Sequence, residues 1–155
     1  MSDVLVGVIS DTHALIRPEA IAALQGSDLI IHAGDIGSPD VISRLRDVAR
    51  TIVVRGNNDK GPWASGLPVT QVVGVGDARF YVLHELRALD VDPAAAGFAA
   101  VVSGHSHKAA IQSRDGVLYL NPGSAGPRRF KLPVTVARVH VSGLGLRGEI
   151  VELAV

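Results

Sequence analysis

The chain has 155 residues, 47% of them hydrophobic and 19% charged, and its 15 basic residues balance its 15 acidic residues. This length fits one domain with a substantial core, which we expect to span residues 1–155. Zero net charge and an aromatic content of 4% argue against nucleic acid as a partner. Without cysteine the chain forms no disulfide and no thiolate metal site, and no apolar stretch approaches the length of a membrane span. We therefore expect a cytoplasmic protein with neither a membrane span nor a signal peptide.

In the first half of the chain, short apolar runs alternate with amphipathic segments. Residues 4–9, 28–32 and 51–54 have the uninterrupted, β-branched character of strands that are buried on both faces. Pro18 begins one predicted helix between these strands, and Ser38 and Pro39 cap and begin another. This alternating order predicts parallel strands joined by helical crossovers.

The second half of the chain is mostly predicted strand. Its apolar runs are separated by turn signals and lie at 69–75, 79–83, 98–102, 109–113, 117–120, 134–141 and 146–153. One short alanine-rich helix is predicted to begin at Asp92-Pro93 and to end at Gly97, and a loop is predicted around Trp63. Both halves fit an α/β sandwich of two sheets with helices on the outside.

Residues of metal-binding types follow five of the predicted strands. They are Asp11 with His13, Asp35, Asn57, His84, and His105 with His107. Ligands bind at the carboxyl ends of strands in open α/β sheets. In extended backbone, residues two apart point to one side, so His105 and His107 are predicted to face one point. Each residue alone has a structural explanation as a cap, a turn or a satisfied histidine, but their joint placement indicates a metal site.

Taken together, the motifs resemble those of the calcineurin-like metallophosphoesterases, in that family's order. They are Asp11-x-His13, Gly34-Asp35, Gly56-Asn57, His84 and Gly104-His105-x-His107. The short chain and Asn121-Pro122-Gly123-Ser124 resemble, more narrowly, the small bacterial and archaeal phosphodiesterases of that family. The resemblance covers essentially the whole chain. It implies a four-layer α-β-β-α sandwich of two mixed sheets, and a phosphoesterase, with a phosphodiesterase favoured, that acts on a small phosphate ester.

The resemblance also implies a two-metal centre with three ligands for each ion and one shared ligand. The implied set is Asp11, His13 and His107 for the first metal, Asn57, His84 and His105 for the second, and Asp35 bridging both. Oxygen and nitrogen donors without sulfur suit Mn²⁺, our first choice, with Ni²⁺, Fe²⁺, Zn²⁺ and Mg²⁺ as alternatives. A hydroxide bridging two such ions would attack phosphorus in line, so the chemistry requires no protein nucleophile.

Two positions depart from the family pattern. Many relatives have histidine directly after Gly-Asn, where this chain has Asn58, which donates hydrogen bonds to a phosphate or leaving group but is no general acid. General acid catalysis contributes about 10²–10⁴-fold, so a preference for good leaving groups is predicted. Many relatives have glycine after the fourth-motif histidine, where this chain has Glu85. The backbone there must then avoid dihedrals that only glycine adopts, and Glu85 has a second potential role in orienting a ligand.

The remaining polar residues have less specific explanations. Asp59 is predicted either to hold a ligand histidine from behind or to cap a turn. His32 and His140 are predicted to be structural. Arg128 and Arg129, after the Asn-Pro-Gly-Ser turn, either bind the substrate phosphate or belong to a solvated basic loop.

Two other functions compete with the enzyme. The retromer sorting subunit resembles this family and mainly binds partners, so a catalytically weak or inactive protein-interaction scaffold is the alternative. The full set of ligand histidines favours the enzyme. Larger relatives cut DNA, but the zero net charge argues against a nuclease. The apolar composition is compatible with a homodimer.

Overall fold

The computed structural model describes residues 3–129 and 131–155, and the strands of these residues form two five-stranded sheets. In chain order the elements are β1 (Val4–Ile9), α1 (Pro18–Leu24), β2 (Leu29–His32), α2 (Pro39–Arg46), β3 (Arg50–Val53), α3 (Pro62–Ser65), β4 (Thr70–Val75), β5 (Ala78–Leu83), a 3-10 helix (Leu86–Ala88), β6 (Ala100–Val102), β7 (Ala110–Arg114), β8 (Val117–Asn121), β9 (Thr135–Ser142) and β10 (Gly145–Glu152). Both sheets contain parallel and antiparallel pairs, which confirms the predicted fold class.

The first sheet has the strand order β10-β9-β1-β2-β3. Strands β1, β2 and β3 are parallel, and α1 and α2 form the predicted crossovers between them. Pro18 and Pro39 lie in the first turns of these helices, and the Ser38 side chain caps α2 by accepting a hydrogen bond from the Asp40 N–H (3.1 Å). The carboxyl ends of three neighbouring strands therefore lie at one edge of this sheet.

The second sheet has the strand order β4-β5-β6-β8-β7. Strands β5, β6 and β8 are parallel, while β4 and β7 are antiparallel strands at the two edges. The predicted hairpin between β7 and β8 turns at Asp115 (φ 52°) and Gly116 (φ 77°). Two successive left-handed residues match the twist of a hairpin, which explains the Asp-Gly pair at this turn.

Apolar side chains fill the space between the sheets and cover both outer faces. The inner cluster includes Val8, Ile31, Phe80, Val82, Val102 and Val139. Helices α1 and α2 cover the first sheet through Leu24, Val41 and Leu45. On the second sheet, Leu89 and Val91 pack over Tyr81 and Phe98, so the segment after the 3-10 helix covers this face in place of an α-helix.

Two local predictions were wrong. Residues 93–97 form turns instead of a helix: the Asp92 carbonyl and side chain accept hydrogen bonds from Ala96 (2.9 Å) and Ala95 (3.2 Å), but Gly97 (φ 82°) stops the chain after one turn. Conversely, the predicted loop around Trp63 contains the single helical turn α3, and Trp63 packs against the helix-covered side of the first sheet.

Candidate metal centre

Loops from both sheets meet at the carboxyl ends of their parallel strands. The first sheet contributes the loops after β1, β2 and β3, which carry Asp11, Asp35 and Asn57. The second sheet contributes the residue after β5, His84, and the loop after β6. Within the second group, the Gly104 N–H donates to the His84 carbonyl (2.9 Å). The two groups make direct contact, because the His105 N–H donates to Asp11 Oδ2 (3.0 Å).

One group of candidate ligands consists of Asp11, His13 and His107, whose ligand atoms lie within 4.8 Å of one another. The Nε2 of His107 is 3.4 Å from Asp11 Oδ1. The Nε2 of His13 is 3.8 Å from Asp35 Oδ2, so this group adjoins the Asp35 carboxylate.

A second group shares Asp11 and includes Asp35 and His84, again with ligand atoms within 4.8 Å of one another. The Nε2 of His84 lies 3.3 Å from Asp35 Oδ2 and 3.9 Å from Asp11 Oδ1. The Asp35 carboxylate is therefore near a histidine of each group, His13 on one side and His84 on the other.

Asn57 and His105 complete the second side of the site. The Asn57 Oδ1 is 3.2 Å from His105 Nδ1, and the His105 ring lies edge-on to the His84 ring at 5.2 Å. The expectation that His105 and His107 face one point was wrong. Their backbone is left-handed (φ 73° and 63°) instead of extended, so His107 lies against Asp11 while His105 lies against Asn57.

Among the residues that the structure describes, non-glycine positions with positive φ concentrate in these loops. Five of them are candidate ligands: Asp11 (56°), His13 (47°), Asp35 (56°), His105 (73°) and His107 (63°). A non-glycine residue in this region costs on the order of 1–3 kcal/mol and persists where surrounding contacts fix it, typically at functional sites. Backbone hydrogen bonds to the loop after β2, from Asp11 to Gly34 and from His13 to Asp35 (both 3.0 Å), provide such contacts.

Three of the polar atoms that face one another in the site are buried and have no hydrogen-bond partner. These atoms are Asp11 Oδ1, His13 Nε2 and His84 Nε2. Buried polar atoms almost always have a partner, and a site for an ion is one of the recognised explanations when they do not. Carboxylate oxygens and imidazole nitrogens without sulfur form a donor set that divalent first-row metals accept, so these residues fit a metal ion.

Hydrogen bonds orient the same side chains from behind. Asp11 Oδ2 accepts from the Ser10 hydroxyl (2.7 Å) and from the His105 N–H, which leaves Oδ1 free to face the site. His84 Nδ1 lies 2.7 Å from the Ala33 carbonyl, and because a carbonyl only accepts, Nδ1 carries the proton and a neutral ring presents its Nε2 lone pair. This is the arrangement that fixes metal-binding histidines in proteins.

Asn58 binds the shared carboxylate directly. Its backbone N–H donates to Asp35 Oδ1 (2.9 Å), and its Nδ2 donates to Asp35 Oδ2 (3.0 Å). Asn58, at the position where many relatives have a histidine, thus orients the candidate ligand Asp35.

The charges of the cluster stabilise an ionised Asp35. Burial would raise the pKa of Asp35, but contact with His84 and the hydrogen bonds from Asn58 hold that pKa well below its ordinary range. Burial would lower the pKa of His84, but Asp35, the Ala33 carbonyl and Asp11 outweigh burial and raise it. Burial lowers the pKa of His107 despite the opposing charge of Asp11. A metal ion binds the neutral form of a histidine, so metal binding at His84 is expected to weaken as pH falls.

Asp59 holds two loops together through backbone groups. Its carboxylate accepts from the N–H groups of Ile36 (3.1 Å), Gly37 (2.9 Å) and Gly56 (2.9 Å). Of the two roles predicted for Asp59, these contacts match turn capping and not the holding of a ligand histidine. The contacts reach two loops instead of one turn. Asp59 therefore fixes the β3 loop against the loop that carries Asp35.

Glu85 and the two arginines occupy different places around the centre. Glu85 has ordinary extended backbone (φ −114°), and its Oε1 lies 3.7 Å from His105 Nε2. Arg128 donates to the backbone carbonyl of Val155 (3.1 Å), so it is tied to the end of the chain. Arg129 is exposed, and its charge contributes to the lowered pKa of His107.

The Asn-Pro-Gly-Ser turn supports the ligand loops in a way that the sequence analysis did not assign. Asn121 Nδ2 donates to the Gly104 carbonyl (3.0 Å), and the Ser124 hydroxyl donates to the Asp11 carbonyl (3.0 Å). The motif itself was the available signal, but its partners are distant in sequence and become adjacent only in the folded chain.

His32 is a buried structural histidine beneath the site. Its Nδ1 accepts from the Gly34 N–H (3.0 Å). Because the Thr12 hydroxyl donates to the Ile36 carbonyl (2.8 Å), the His32 Nε2–H donates to Thr12 Oγ1 (3.0 Å). Both ring nitrogens are satisfied by the neutral form, and burial together with the charge of His84 lowers the pKa of His32 to about 3.

The lowered pKa of His32 predicts an acid-sensitive fold. The unfolded chain protonates His32 below its ordinary pKa of 6.5 while the folded chain does not, so stability falls as pH decreases from 6.5 towards 3. Between pH 7 and pH 5 this residue is expected to cost the metal-free protein about 2 kcal/mol of unfolding free energy. Urea unfolding of wild type and His32→Asn with a chelator present measures it. The stability difference between the two proteins should shrink by that amount, and parallel pH profiles would contradict the prediction.

Comparison with known proteins agrees with this fold. Residues 4–143 match the model of the calcineurin-like phosphoesterase superfamily domain. A probable metallophosphoesterase of Methanothermobacter thermautotrophicus is 32% identical, and the match covers 96% of this chain and 92% of that protein. The chain therefore belongs to the calcineurin-like phosphoesterase superfamily, and the resemblance that its motifs indicated is confirmed.

A curated protein and a solved structure extend the comparison. A phosphodiesterase of Methanocaldococcus jannaschii is 26% identical over 76% of this chain and 82% of that protein. The crystal structure of a Vps29 from Entamoeba histolytica in complex with Zn²⁺ superposes with a TM-score of 0.71 at 22% identity, covering 96% of this chain and 98% of that one. The latter likeness concerns the fold.

In the described residues, no helix is both long and apolar enough to cross a membrane.

Proposed function

We propose that this protein is a binuclear metal-dependent phosphoesterase, and more narrowly a phosphodiesterase. The observation that carries the proposal is the position of Asp35, whose carboxylate lies 3.8 Å from a histidine nitrogen of one candidate ligand group and 3.3 Å from one of the other. A carboxylate between two ligand groups is suited to bridging two cations. The proposed ligands are those implied by the motifs: Asp11, His13 and His107 on one side, Asn57, His84 and His105 on the other, with Asp35 shared.

Bound divalent cations would lower the pKa of a bound water towards 7 and offset the charge of a phosphoryl group. Other residues of the chain hold the candidate ligands in position. Asn58 fixes both oxygens of Asp35, Ser10 fixes Asp11, and the Ala33 carbonyl orients His84. We propose Mn²⁺ as the first choice of metal. The oxygen and nitrogen donors accept Mn²⁺, and they also accept Ni²⁺, Fe²⁺, Zn²⁺ and Mg²⁺ as alternatives. The zinc complex of the Entamoeba Vps29 supports a divalent site on this fold.

The name of the Methanocaldococcus relative supports a diester as substrate, and the proposal is tested by hydrolysis of bis-p-nitrophenyl phosphate and p-nitrophenyl phosphate. Metal-stripped protein is compared with protein supplied with each metal, alongside His105→Ala and the matched variant His140→Ala, whose histidine pairs with Glu149 away from the site. Metal-dependent turnover that His105→Ala loses and His140→Ala keeps would support the proposal, with the diester as the faster substrate. Absence of turnover with every metal would favour a scaffold like Vps29.

Leaving-group dependence is the prediction that follows from Asn58. The side-chain amide of Asn58 is not an acid, and Asp35 already accepts from its backbone N–H and from its Nδ2, so Asn58 does not protonate a departing alkoxide. Because general acid catalysis contributes about 10²–10⁴-fold, rates for a series of aryl phosphodiesters are expected to fall steeply as the pKa of the leaving phenol rises. Steady-state rates across that series measure the slope, and a flat series would show that another group supplies the proton.

A further inference from the structure

A groove of about 520 Å³ on the outer face of the second sheet begins at the proposed metal centre. His105 and Glu85 form its inner end, and Arg87 of the 3-10 helix lies along one side. Its floor is made by β7 and β8, where Gln112 and Tyr119 are paired across the two strands. The groove therefore begins directly at His105, a side chain of the proposed catalytic site.

The groove is basic although the chain as a whole has balanced charge. Arg87, Lys108 and Arg114 line it, against Glu85 as its acidic residue, and the three cationic side chains are exposed. A second cavity, of about 470 Å³, adjoins the other side of Glu85 but is lined by Arg55 with Glu85 and Asp90. Of these two cavities beside the site, only the first has an excess of positive charge, so it is the one that attracts an anionic group.

Arg114 is held in a geometry that suits an anion. Its Nε and one terminal nitrogen donate to Gln112 Oε1 (3.2 and 2.8 Å), and its guanidinium lies over the Tyr119 ring at 5.0 Å. These contacts leave other N–H groups of the guanidinium free, and a fixed planar guanidinium binds phosphate oxygens in pairs. Tyr119 is half-buried in the groove floor, and its ring supports the guanidinium that lies over it.

We propose that the substrate is a phosphodiester in which one of the two esterified groups carries a second anion. We propose that this second anion binds in the basic groove against Arg114 and Arg87. The proposal rests on the proposed hydrolase function and adds the substrate class to it. The scissile phosphate would lie at the metal centre, and the second anion would lie beyond His105. A nucleoside bearing an additional phosphate carries such a second negative charge.

The test uses two chromogenic diesters that differ by one phosphate: thymidine 5′-(p-nitrophenyl phosphate) and the same compound with a 3′-phosphate. In wild type the 3′-phosphorylated diester is expected to have a kcat/KM at least about tenfold higher, mainly through KM. The ratio should fall towards one in Arg114→Gln, recover in part in Arg114→Lys, and keep its wild-type value in Arg46→Gln on α2, which lies on the other sheet. Equal kcat/KM for the two diesters in wild type would overturn the proposal.

A binding measurement separates failure of the groove from failure of the enzyme. Metal-free wild type is titrated by calorimetry with thymidine 3′,5′-bisphosphate, and Arg114→Gln is expected to bind about tenfold more weakly. If no diester is hydrolysed but this difference is found, the hydrolase proposal fails and the anion-binding groove stands. If diesters are hydrolysed but the bisphosphate does not bind, or binds both proteins equally, the groove proposal is overturned and the hydrolase remains.

Discussion

Asp35→Asn is expected to lower the turnover of bis-p-nitrophenyl phosphate by at least about 10²–10³-fold, the range seen when one charge-stabilising group is removed from an active site. The substitution keeps the shape of the side chain but removes the negative charge that lies between His13 and His84. It also turns an amide nitrogen towards either His84 or Asn58, which are arranged to meet a carboxylate. Loss of the shared carboxylate should weaken both proposed metal positions at once.

Turnover and metal content of Asp35→Asn are measured together, with Asp40→Asn as the matched control. Asp40 lies exposed in the first turn of α2, away from the candidate ligands, so its variant should behave as wild type. Circular dichroism of Asp35→Asn shows whether the fold is retained. A folded Asp35→Asn protein with turnover within a few fold of wild type would contradict the role assigned to this residue.

Gly56→Ala is expected to lower the unfolding free energy by about 3 kcal/mol and to abolish turnover, because there is no room for a methyl group. A Cβ at Gly56 would collide with the Asp35 backbone nitrogen and with Asp35 Oδ1. The backbone cannot easily yield, since the Gly56 N–H is bound to Asp59, which also holds Ile36 and Gly37. The methyl group would therefore push the loops after β2 and β3 apart at the shared ligand.

Gly74→Ala is the matched control, since a Cβ at Gly74 in β4 meets no atom within 4 Å. Urea unfolding and turnover of the two alanine variants are compared with wild type. Gly74→Ala should remain within about 0.5 kcal/mol of wild-type stability and keep wild-type turnover. If Gly56→Ala behaves like Gly74→Ala in both measurements, the close packing of the two loops is not required for the site.

Local pattern was sufficient to predict most of the architecture. The parallel strands of the first sheet, the prolines that begin α1 and α2, the Ser38 cap of α2, and the Asp115-Gly116 hairpin follow from apolar runs, prolines and turn residues close together in the chain. The failed helix after Asp92 shows the limit of such signals, because one hydrogen-bonded turn formed there but nothing extended it past Gly97.

Details of the site depend on contacts that local pattern does not contain. His105 and His107 were expected in extended backbone, but the loop places both in the left-handed region and directs them to different ligand groups. The two hydrogen bonds from Asn58 to Asp35 join residues that are 23 positions apart in the chain. The hydroxyl of Ser124 meets the Asp11 carbonyl across 113 positions. The pairing of β2 with β3 brings Asn58 to Asp35, and the packing of the two sheets brings Ser124 to Asp11, so the motifs predicted which residues meet but not how they are held.

The most direct test of the central claim is a titration of the metal-stripped protein with Mn²⁺, in which bound ions per chain and turnover of bis-p-nitrophenyl phosphate are recorded at each step. A binuclear centre built around Asp35 predicts negligible turnover without metal, saturation at two ions per chain, and turnover that rises with occupancy to its maximum when both ions are bound. Full turnover in the stripped protein, or saturation of turnover with no more than one ion bound per chain, would contradict the two-metal account.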